Sequence, residues 1–201
     1  MILGHLLVYI TMTTSLRVII CPGNGCTSNI RRANFYGRAE SLLKQAGLFA
    51  QVILEVMPDP NGAKESVWVP HLLSLGANEN AILIGHSSGA EAAMRLLENN
   101  KLFGAVLVSA CHTDLGEPSE RAAGYYSRPW DWERIKNNVD PRFGIIQIHS
   151  RDDPFIPTHE AEHVAAALGS QFTMFDDRSH FFDATSIDDV LDQVIAKVRA
   201  L

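Results

Sequence analysis

A serine lies between two glycines at the end of a short apolar run. Gly85-His-Ser-Ser-Gly89 directly follows Ala81–Ile84 and directly precedes an amphipathic stretch. The G-x-S-x-G pattern alone recurs by chance, but a strand before it and a helix after it are what a nucleophile elbow requires. Such a turn exposes the hydroxyl of Ser87 above a helix N-terminus, which favours developing negative charge. We predict Ser87 as a nucleophile, with a glycine-rich packing turn as the alternative.

A serine hydroxyl reacts only when a base takes its proton, and a carboxylate must orient that base. In hydrolases built on this elbow, the order along the chain is serine, acid, histidine. Asp152 and Asp153 follow the predicted strand Gly144–His149, where the acid belongs. We predict Asp153, which precedes Pro154, as the acid, and keep Asp152 as a solvated turn carboxylate. His180 lies between the last predicted strand and the last predicted helix, and this position selects it as the base.

Acyl transfer also needs N–H groups that stabilise the oxyanion. The main-chain N–H of Ser88, next to the nucleophile, is the first predicted donor. The second is expected in Pro22-Gly-Asn-Gly25, after the first strand, and we assign it to the N–H of Asn24.

Two other motifs compete with this interpretation. His159-Glu-Ala-Glu-His163 matches the zinc-binding pattern H-E-x-x-H, but helical spacing turns both histidines away from the apolar face. Gly23-Asn-Gly-Cys-Thr-Ser28 resembles a dinucleotide-binding loop but ends in serine where the third glycine belongs. No metal and no cofactor are therefore predicted.

Short apolar runs alternate with amphipathic stretches along the chain, which is typical of βαβ units around a parallel sheet. The predicted strands are Arg17–Cys21, Gln51–Met57, Ala81–Ile84, Phe103–Ser109, Gly144–His149 and Gln171–Phe175. The predicted helices are Phe35–Ala46, Ala63–Leu75, Ser88–Asn99, Thr158–Leu168 and Ile187–Ala200. With the elbow, this pattern predicts a compact α/β-hydrolase fold with about six mainly parallel strands, helices on both faces and a small cap segment.

The segment from Cys111 to Arg142 is longer than a simple crossover needs and is rich in aromatic residues. Ligands bind at the carboxyl edge of such a sheet, and an insertion there can cover the site. We interpret residues 111–142 as a cap, with a packing subdomain as the alternative. The substrate-pocket candidates are Tyr125, Trp130, Trp132 and Phe155.

Composition limits the class of partner. The chain has 201 residues, with 17 Lys and Arg against 23 Asp and Glu, a formal charge of −6. This balance provides no basic surface for nucleic acid or for an anionic membrane, and it favours a small neutral or cationic substrate. The length fits one domain, placed at residues 17–201. Three cysteines without a dense disulfide framework indicate a reducing compartment, so we expect a cytoplasmic protein, with an additional nuclear location left open.

The first residues form an apolar run without a place in this fold. Met1–Ile10 is shorter than the roughly 20 residues that cross a bilayer. A secretory signal begins with basic residues, and no Lys or Arg precedes Arg17. We predict a disordered N-terminal extension over residues 1–16, with a signal peptide as the alternative.

The order of many short segments resembles the retinoblastoma-binding protein 9 family of small α/β-hydrolases, from Val18 to the C-terminus. The matching segments are Pro22–Gly25, Met57–Pro60, Glu65–Trp68, Gly85–Ala90, Ala92–Arg95, Val106–Ala110, Asp114–Gly116, Glu120-Arg121, Gly124-Tyr125, Arg128–Trp130, Trp132-Glu133, Asp152–Phe155 and His180-Phe181. The resemblance implies Ser87, Asp153 and His180 as a triad in a metal-free acyl-hydrolase site. It also implies ester or amide substrates such as small aminoacyl compounds.

The family resemblance brings a second hypothesis, a protein-binding module on a hydrolase scaffold. The mammalian family member is named for an L-x-C-x-E segment that binds retinoblastoma-type proteins. The matching stretch here is Leu75-Gly-Ala-Asn-Glu79, with Ala77 where the cysteine belongs. This departure puts the binding role in doubt and leaves the hydrolase interpretation untouched.

Overall fold

The computed structural model describes residues 15–201. The predicted N-terminal extension therefore lies outside the described residues, except for its last two. Of these, Leu16 is buried in the core, and its carbonyl oxygen accepts a hydrogen bond from the N–H of Ala50.

Six strands form one sheet in the described part of the chain, and all neighbouring pairs are parallel. The spatial order is β2-β1-β3-β4-β5-β6, which confirms the predicted α/β class. The strands are β1 (Arg17–Cys21), β2 (Gln51–Leu54), β3 (Ala81–His86), β4 (Leu102–Val108), β5 (Val139–Ser150) and β6 (Gln171–Phe175). The central strands β3 and β4 are buried along their whole length, because helices cover both faces of the sheet.

Within residues 15–201, six α-helices lie between these strands and a seventh follows β6. They are α1 (Tyr36–Gln45), α2 (Glu65–Ser74), α3 (Ser88–Leu97), α4 (Pro118–Ala123), α5 (Trp132–Asn137), α6 (Thr158–Leu168) and α7 (Asp188–Arg199). One face of the sheet packs against α1 and α7, and the opposite face packs against α2, α3, α5 and α6. Alternate strand residues serve the two cores: Ile19 faces one and Ile20 the other.

The strand register brings the carboxyl ends of the central strands together. Cys21 of β1 pairs with Gly85 of β3, and His86 pairs with Val108 of β4. Val108 in turn pairs with Ile148 of β5. The loops that leave these strands therefore meet at one edge of the sheet, where ligands of doubly wound folds bind.

Candidate active site

The turn after β3 is tight, as the glycines around Ser87 predict. Ser87 has φ 53° and ψ −126°, a conformation that a non-glycine residue adopts only when its surroundings impose it. A Cβ on Gly85 would collide with the carbonyl of Gly89, and a Cβ on Gly89 would collide with the carbonyl of Cys21. The N–H of Ser87 donates to the carbonyl of Val108 at 2.9 Å. The neighbouring strands and glycines thus force the turn that presents Ser87 above α3.

The loops after β5 and β6 bring Asp153 and His180 into contact. Nδ1 of His180 lies 2.8 Å from Oδ2 of Asp153. Ser109, at the end of β4, donates its hydroxyl to the same carboxyl oxygen at 2.9 Å. The N–H groups of Phe155 and Ile156 donate to Oδ1 at 2.9 and 3.1 Å. Burial opposes ionisation of Asp153, but the hydrogen bonds to His180 and to these two N–H groups outweigh it, so its pKa lies below its usual value.

The alternative acid, Asp152, has a different environment. It is exposed, and its Oδ1 accepts hydrogen bonds from the hydroxyl of Ser150 at 2.6 Å and from the N–H of Ser179 at 2.8 Å. These bonds lower the pKa of Asp152. Asp152 therefore holds the loop beside His180, whereas Asp153 contacts the imidazole itself.

A cavity of about 810 Å³ opens above the turn. Ser87 and His180 both lie in its wall, together with Gly23 and Asn24 of the loop after β1. Ser88 begins α3, so its N–H is one of the first four of the helix, which have no acceptor within it. The structure thus gathers the predicted nucleophile, base and oxyanion loop around one space that is large enough for a small ligand.

The four pocket candidates separate into two groups. Phe155 lines the cavity, whereas Tyr125, Trp130 and Trp132 do not. Arg95, buried in α3, donates to the carbonyl of Tyr125 at 2.8 Å, and its guanidinium lies 3.7 Å from the centre of a Trp130 ring. The side chain of Tyr125 is buried in the core, and those of Trp130 and Trp132 pack against it, which corrects the expectation that these three rings face a ligand.

The predicted cap segment accordingly has two parts. Residues 115–120, which include Leu115, Glu117 and Glu120, contribute to the cavity wall. In the second part, Tyr125 belongs to the hydrophobic core, and Tyr126, Trp130 and Trp132 pack against it. Tyr126 also lines the cavity.

Three carboxyl groups in the cavity wall were not anticipated from the sequence. They belong to Glu91, Glu117 and Glu120, and none of the cavity-lining residues that the structure describes is Lys or Arg. Glu91 is buried and accepts a hydrogen bond from the N–H of Cys111 at 2.9 Å. Burial raises the pKa of Glu91 well above its usual value, and burial also raises the pKa of Glu120. The sequence placed Glu91 in the helix predicted after Ser87, and Glu117 and Glu120 in the predicted cap segment, without a motif that marks them.

Two further residues were missed, His86 and Tyr36. Nδ1 of His86 lies 2.6 Å from the hydroxyl oxygen of Tyr36, and both side chains are buried. His86 lies within the G-x-S-x-G segment, but the expected order of a triad directs attention to histidines after the serine. Tyr36 lies 50 residues away in the sequence and carries no motif.

The histidines of the H-E-x-x-H segment do not converge. The side chain of His159 is 72% exposed, whereas the ring of His163 stacks on that of His112 with centres 3.9 Å apart. Glu160 is buried and accepts hydrogen bonds from the N–H groups of His112 and Thr113. The segment therefore ties α6 to the chain after β4.

The L-x-C-x-E-like segment lies at the end of α2 and in the turn after it. Ala77 is buried, Leu75 packs against the core, and Glu79 is exposed.

Comparisons with known proteins agree with this architecture. The family model described as serine hydrolase matches residues 50–193. The serine hydrolase RBBP9 of Rattus norvegicus is 44% identical over 171 residues, 85% of this chain and 89% of its own. The ydeN gene product of B. subtilis superposes with a TM-score of 0.75 at 23% identity, covering 90% of this chain and 98% of its own. An esterase domain from a Rhodothermus marinus protein gives a TM-score of 0.59 at 17% identity, covering 94% of this chain and 88% of its own.

Among residues 15–201, none of the helices combines the length and apolar character that a bilayer crossing requires.

Proposed function

Since the chain belongs to the serine hydrolase family, we propose that it cleaves small carboxylic esters or amides through an acyl-enzyme on Ser87. In this proposal His180 is the general base and Asp153 orients it. The observation that carries the proposal is the 2.8 Å contact between Asp153 and His180 beside the cavity that also exposes Ser87.

In the first half-reaction, Oγ of Ser87 attacks the substrate carbonyl carbon while Nε2 of His180 takes the hydroxyl proton. The carbonyl oxygen becomes an oxyanion, which the N–H groups of Ser88 and Asn24 stabilise. His180 then gives the proton to the leaving alcohol or amine as the carbon–oxygen or carbon–nitrogen bond breaks. Asp153 stays ionised throughout because its pKa is already lowered, and its charge stabilises the imidazolium.

In the second half-reaction, water attacks the acyl carbon and gives one proton to His180. The second tetrahedral intermediate collapses, the proton returns to Oγ of Ser87, and the carboxylic acid leaves. No metal or organic cofactor enters either step.

We further propose that the acyl group carries an amino group, as in small aminoacyl esters. Among residues 15–201, the cavity wall contains Glu91, Glu117 and Glu120 and neither Lys nor Arg. No lysine or arginine in the wall that the structure describes would repel an ammonium group, and the neutral carboxyl of Glu91 can still accept a hydrogen bond through its carbonyl oxygen. A second carboxylate on the substrate would find no lysine or arginine there to pair with. The exposed ring of Phe155, nearly perpendicular to that of His180 with ring centres 5.1 Å apart, provides an apolar contact at the mouth of the cavity.

The experiment compares two p-nitrophenyl esters that differ only in the α-amino group, those of phenylalanine and of 3-phenylpropanoic acid. We expect hydrolysis of both, with kcat/KM about tenfold higher for the amino ester, and a smaller ratio in Glu120→Gln. Glu133→Gln, an exposed carboxyl on α5, is the matched control. Equal kcat/KM values for the two esters would reject the aminoacyl proposal, and no hydrolysis of either would reject the esterase proposal.

A further inference from the structure

His86 makes two hydrogen bonds from opposite sides of its buried ring. Nδ1 lies 2.6 Å from the hydroxyl oxygen of Tyr36, and Nε2 lies 3.0 Å from the main-chain oxygen of His180. His86 directly precedes Ser87, so this ring joins the nucleophile turn to the loop that carries the proposed base. Neither bond involves the imidazole of His180, which remains available to Asp153 and the cavity.

The chemistry of the partners fixes the direction of these bonds. A carbonyl oxygen can only accept, so Nε2 of His86 carries the hydrogen. Burial, with a smaller contribution from neighbouring His180, lowers the pKa of His86 to about 3, so the ring is neutral and Nδ1 is an acceptor. The hydroxyl of Tyr36 must then donate to Nδ1, and burial raises the pKa of Tyr36, so it keeps this proton.

With its hydrogen committed to His86, the hydroxyl oxygen of Tyr36 can only accept from its other neighbours. It accepts from the N–H of Gly23 at 2.9 Å and from the side-chain amide of Asn34 at 3.1 Å. Gly23 precedes Asn24, whose N–H is the proposed second oxyanion donor. Gly23 also lies against the nucleophile, since a Cβ built on it would lie 3.2 Å from Cβ of Ser87.

We propose that Tyr36 and His86 are positioning residues, which hold the oxyanion loop at Gly23 and the base loop at His180 in register with Ser87. A single directed chain of hydrogen bonds runs from the N–H of Gly23 through Tyr36 and His86 to the carbonyl of His180. This inference rests on the proposed function, because it assigns Asn24 and His180 their roles in acyl transfer. Hydrogen bonds in such a buried chain polarise one another and are sensitive to the loss of any member.

Tyr36→Phe removes one hydroxyl and leaves the N–H of Gly23 and Nδ1 of His86 without their partner. Because the oxyanion contact forms only as the tetrahedral intermediate develops, the loss falls on kcat. We expect kcat to decrease about 10- to 100-fold while KM changes by less than about twofold. The matched control is Tyr125→Phe, which removes a buried hydroxyl without a hydrogen-bond partner in residues 15–201 and should leave kcat unchanged.

Variants of His86 test the hydrogen bond from its Nε2 to the main-chain oxygen of His180. The terminal amide of a glutamine can donate to the carbonyl of His180, whereas a leucine of similar size cannot. We therefore expect His86→Gln to retain more of the wild-type kcat than His86→Leu, although both lose the aromatic ring. Equal kcat values for these two variants, at equal folded fraction by circular dichroism, would overturn the role of the bond to His180.

A measurement on the wild-type protein does not depend on any variant folding or on turnover. Long-range ¹H–¹⁵N correlation spectra should show His86 as the neutral tautomer protonated at Nε2, without titration between about pH 5 and 9. A protonated ring, or the Nδ1–H tautomer, would overturn the direction of the chain. An inactive wild-type protein with the expected His86 spectrum would reject the proposed function alone, whereas normal kcat in Tyr36→Phe would reject the positioning role alone.

Discussion

The carboxyl of Asp153 and the imidazole of His180 meet where water has almost no access, their side chains being 0% and 8% exposed. Four donors converge on this carboxyl: the imidazole, the hydroxyl of Ser109 and the N–H groups of Phe155 and Ile156. Four donors are about as many as a carboxylate has lone-pair positions for, so its orientation is set before a substrate arrives. The neighbouring Asp152 accepts hydrogen bonds from the hydroxyl of Ser150 and the N–H of Ser179 rather than from the imidazole.

This contrast predicts different effects of the same substitution at adjacent positions. Asp153→Asn keeps the shape of the side chain but offers His180 an amide in place of a carboxylate, which favours the wrong tautomer and removes the charge behind the imidazolium. We expect kcat to decrease by about 10⁴-fold. Asp152→Asn retains an oxygen that can accept from Ser150 and Ser179, and we expect a decrease of less than about tenfold. Steady-state hydrolysis of a p-nitrophenyl ester measures both, and a larger loss for Asp152→Asn would exchange the two assignments.

The second prediction concerns the nucleophile. Ser87→Ala removes the only atom that can form the acyl-enzyme, so we expect kcat to decrease by about a million-fold. Labelling by a fluorophosphonate probe should disappear with it, since the probe reacts with the same hydroxyl. Ser74→Ala, an exposed hydroxyl at the end of α2, should label as the wild type does. Persistent labelling of Ser87→Ala would place the reactive hydroxyl elsewhere.

Most of the sheet could be predicted from the sequence, because continuous apolar runs between turn residues define buried parallel strands. The bounds of β1, β6 and α6 match the prediction. Strand β5 begins at Val139, five residues before the predicted start. The prediction starts later because Asp140-Pro141-Arg142 argues against a strand. Its pairing with β4 is irregular there, with a register shift between Leu102 and Gly104 of β4. Helices α4 and α5 were missed because six residues are too few to show a helical period.

The candidate site was only partly accessible to the same reasoning. A motif and a chain order point to Ser87, Asp153 and His180, and each of these follows a predicted strand. Tyr36 contributes through one hydroxyl that bonds to Gly23 and His86, which lie 13 and 50 residues away in the sequence. No local sequence pattern predicts such contacts. The sequence shows that Trp130 is aromatic, but it does not show whether the ring faces the cavity or the core. The contact with Arg95 decides this, and it depends on tertiary packing.

The third prediction separates the two groups of aromatic residues. Phe155 is 59% exposed at the mouth of the cavity, so Phe155→Ala should leave the unfolding free energy nearly unchanged. It should raise KM for a phenylalanyl ester about tenfold, because an apolar contact of this size is lost on binding. Trp130→Ala should do the reverse, destabilising the fold by about 2–3 kcal/mol with little change in KM. Urea unfolding and steady-state kinetics on both variants test this prediction. A raised KM for Trp130→Ala would show that its ring contacts the ligand after all.

The fourth prediction is a pH dependence of stability that Glu91 causes. This carboxyl is buried, and burial raises its pKa well above the usual value, so the folded state binds its proton more tightly than the unfolded chain does. The contribution of Glu91 to the free energy of unfolding is therefore fully present below its unfolded pKa of about 4.3. It is lost as pH rises towards the folded pKa. Within that window the loss approaches about 1.4 kcal/mol for each pH unit.

Glu91→Gln removes the ionisation and keeps an oxygen that can accept from the N–H of Cys111. The variant should match the wild type in unfolding free energy at about pH 3, where the carboxyl is protonated in both states. It should become progressively more stable than the wild type as pH rises above about 5, as measured by urea unfolding at intervals of one pH unit. Glu133→Gln, at an exposed position, should show no such divergence. If Glu91→Gln instead loses stability with rising pH relative to the wild type, the carboxyl is ionised in the folded protein, and an ammonium group in the cavity would then find a full negative charge at residue 91.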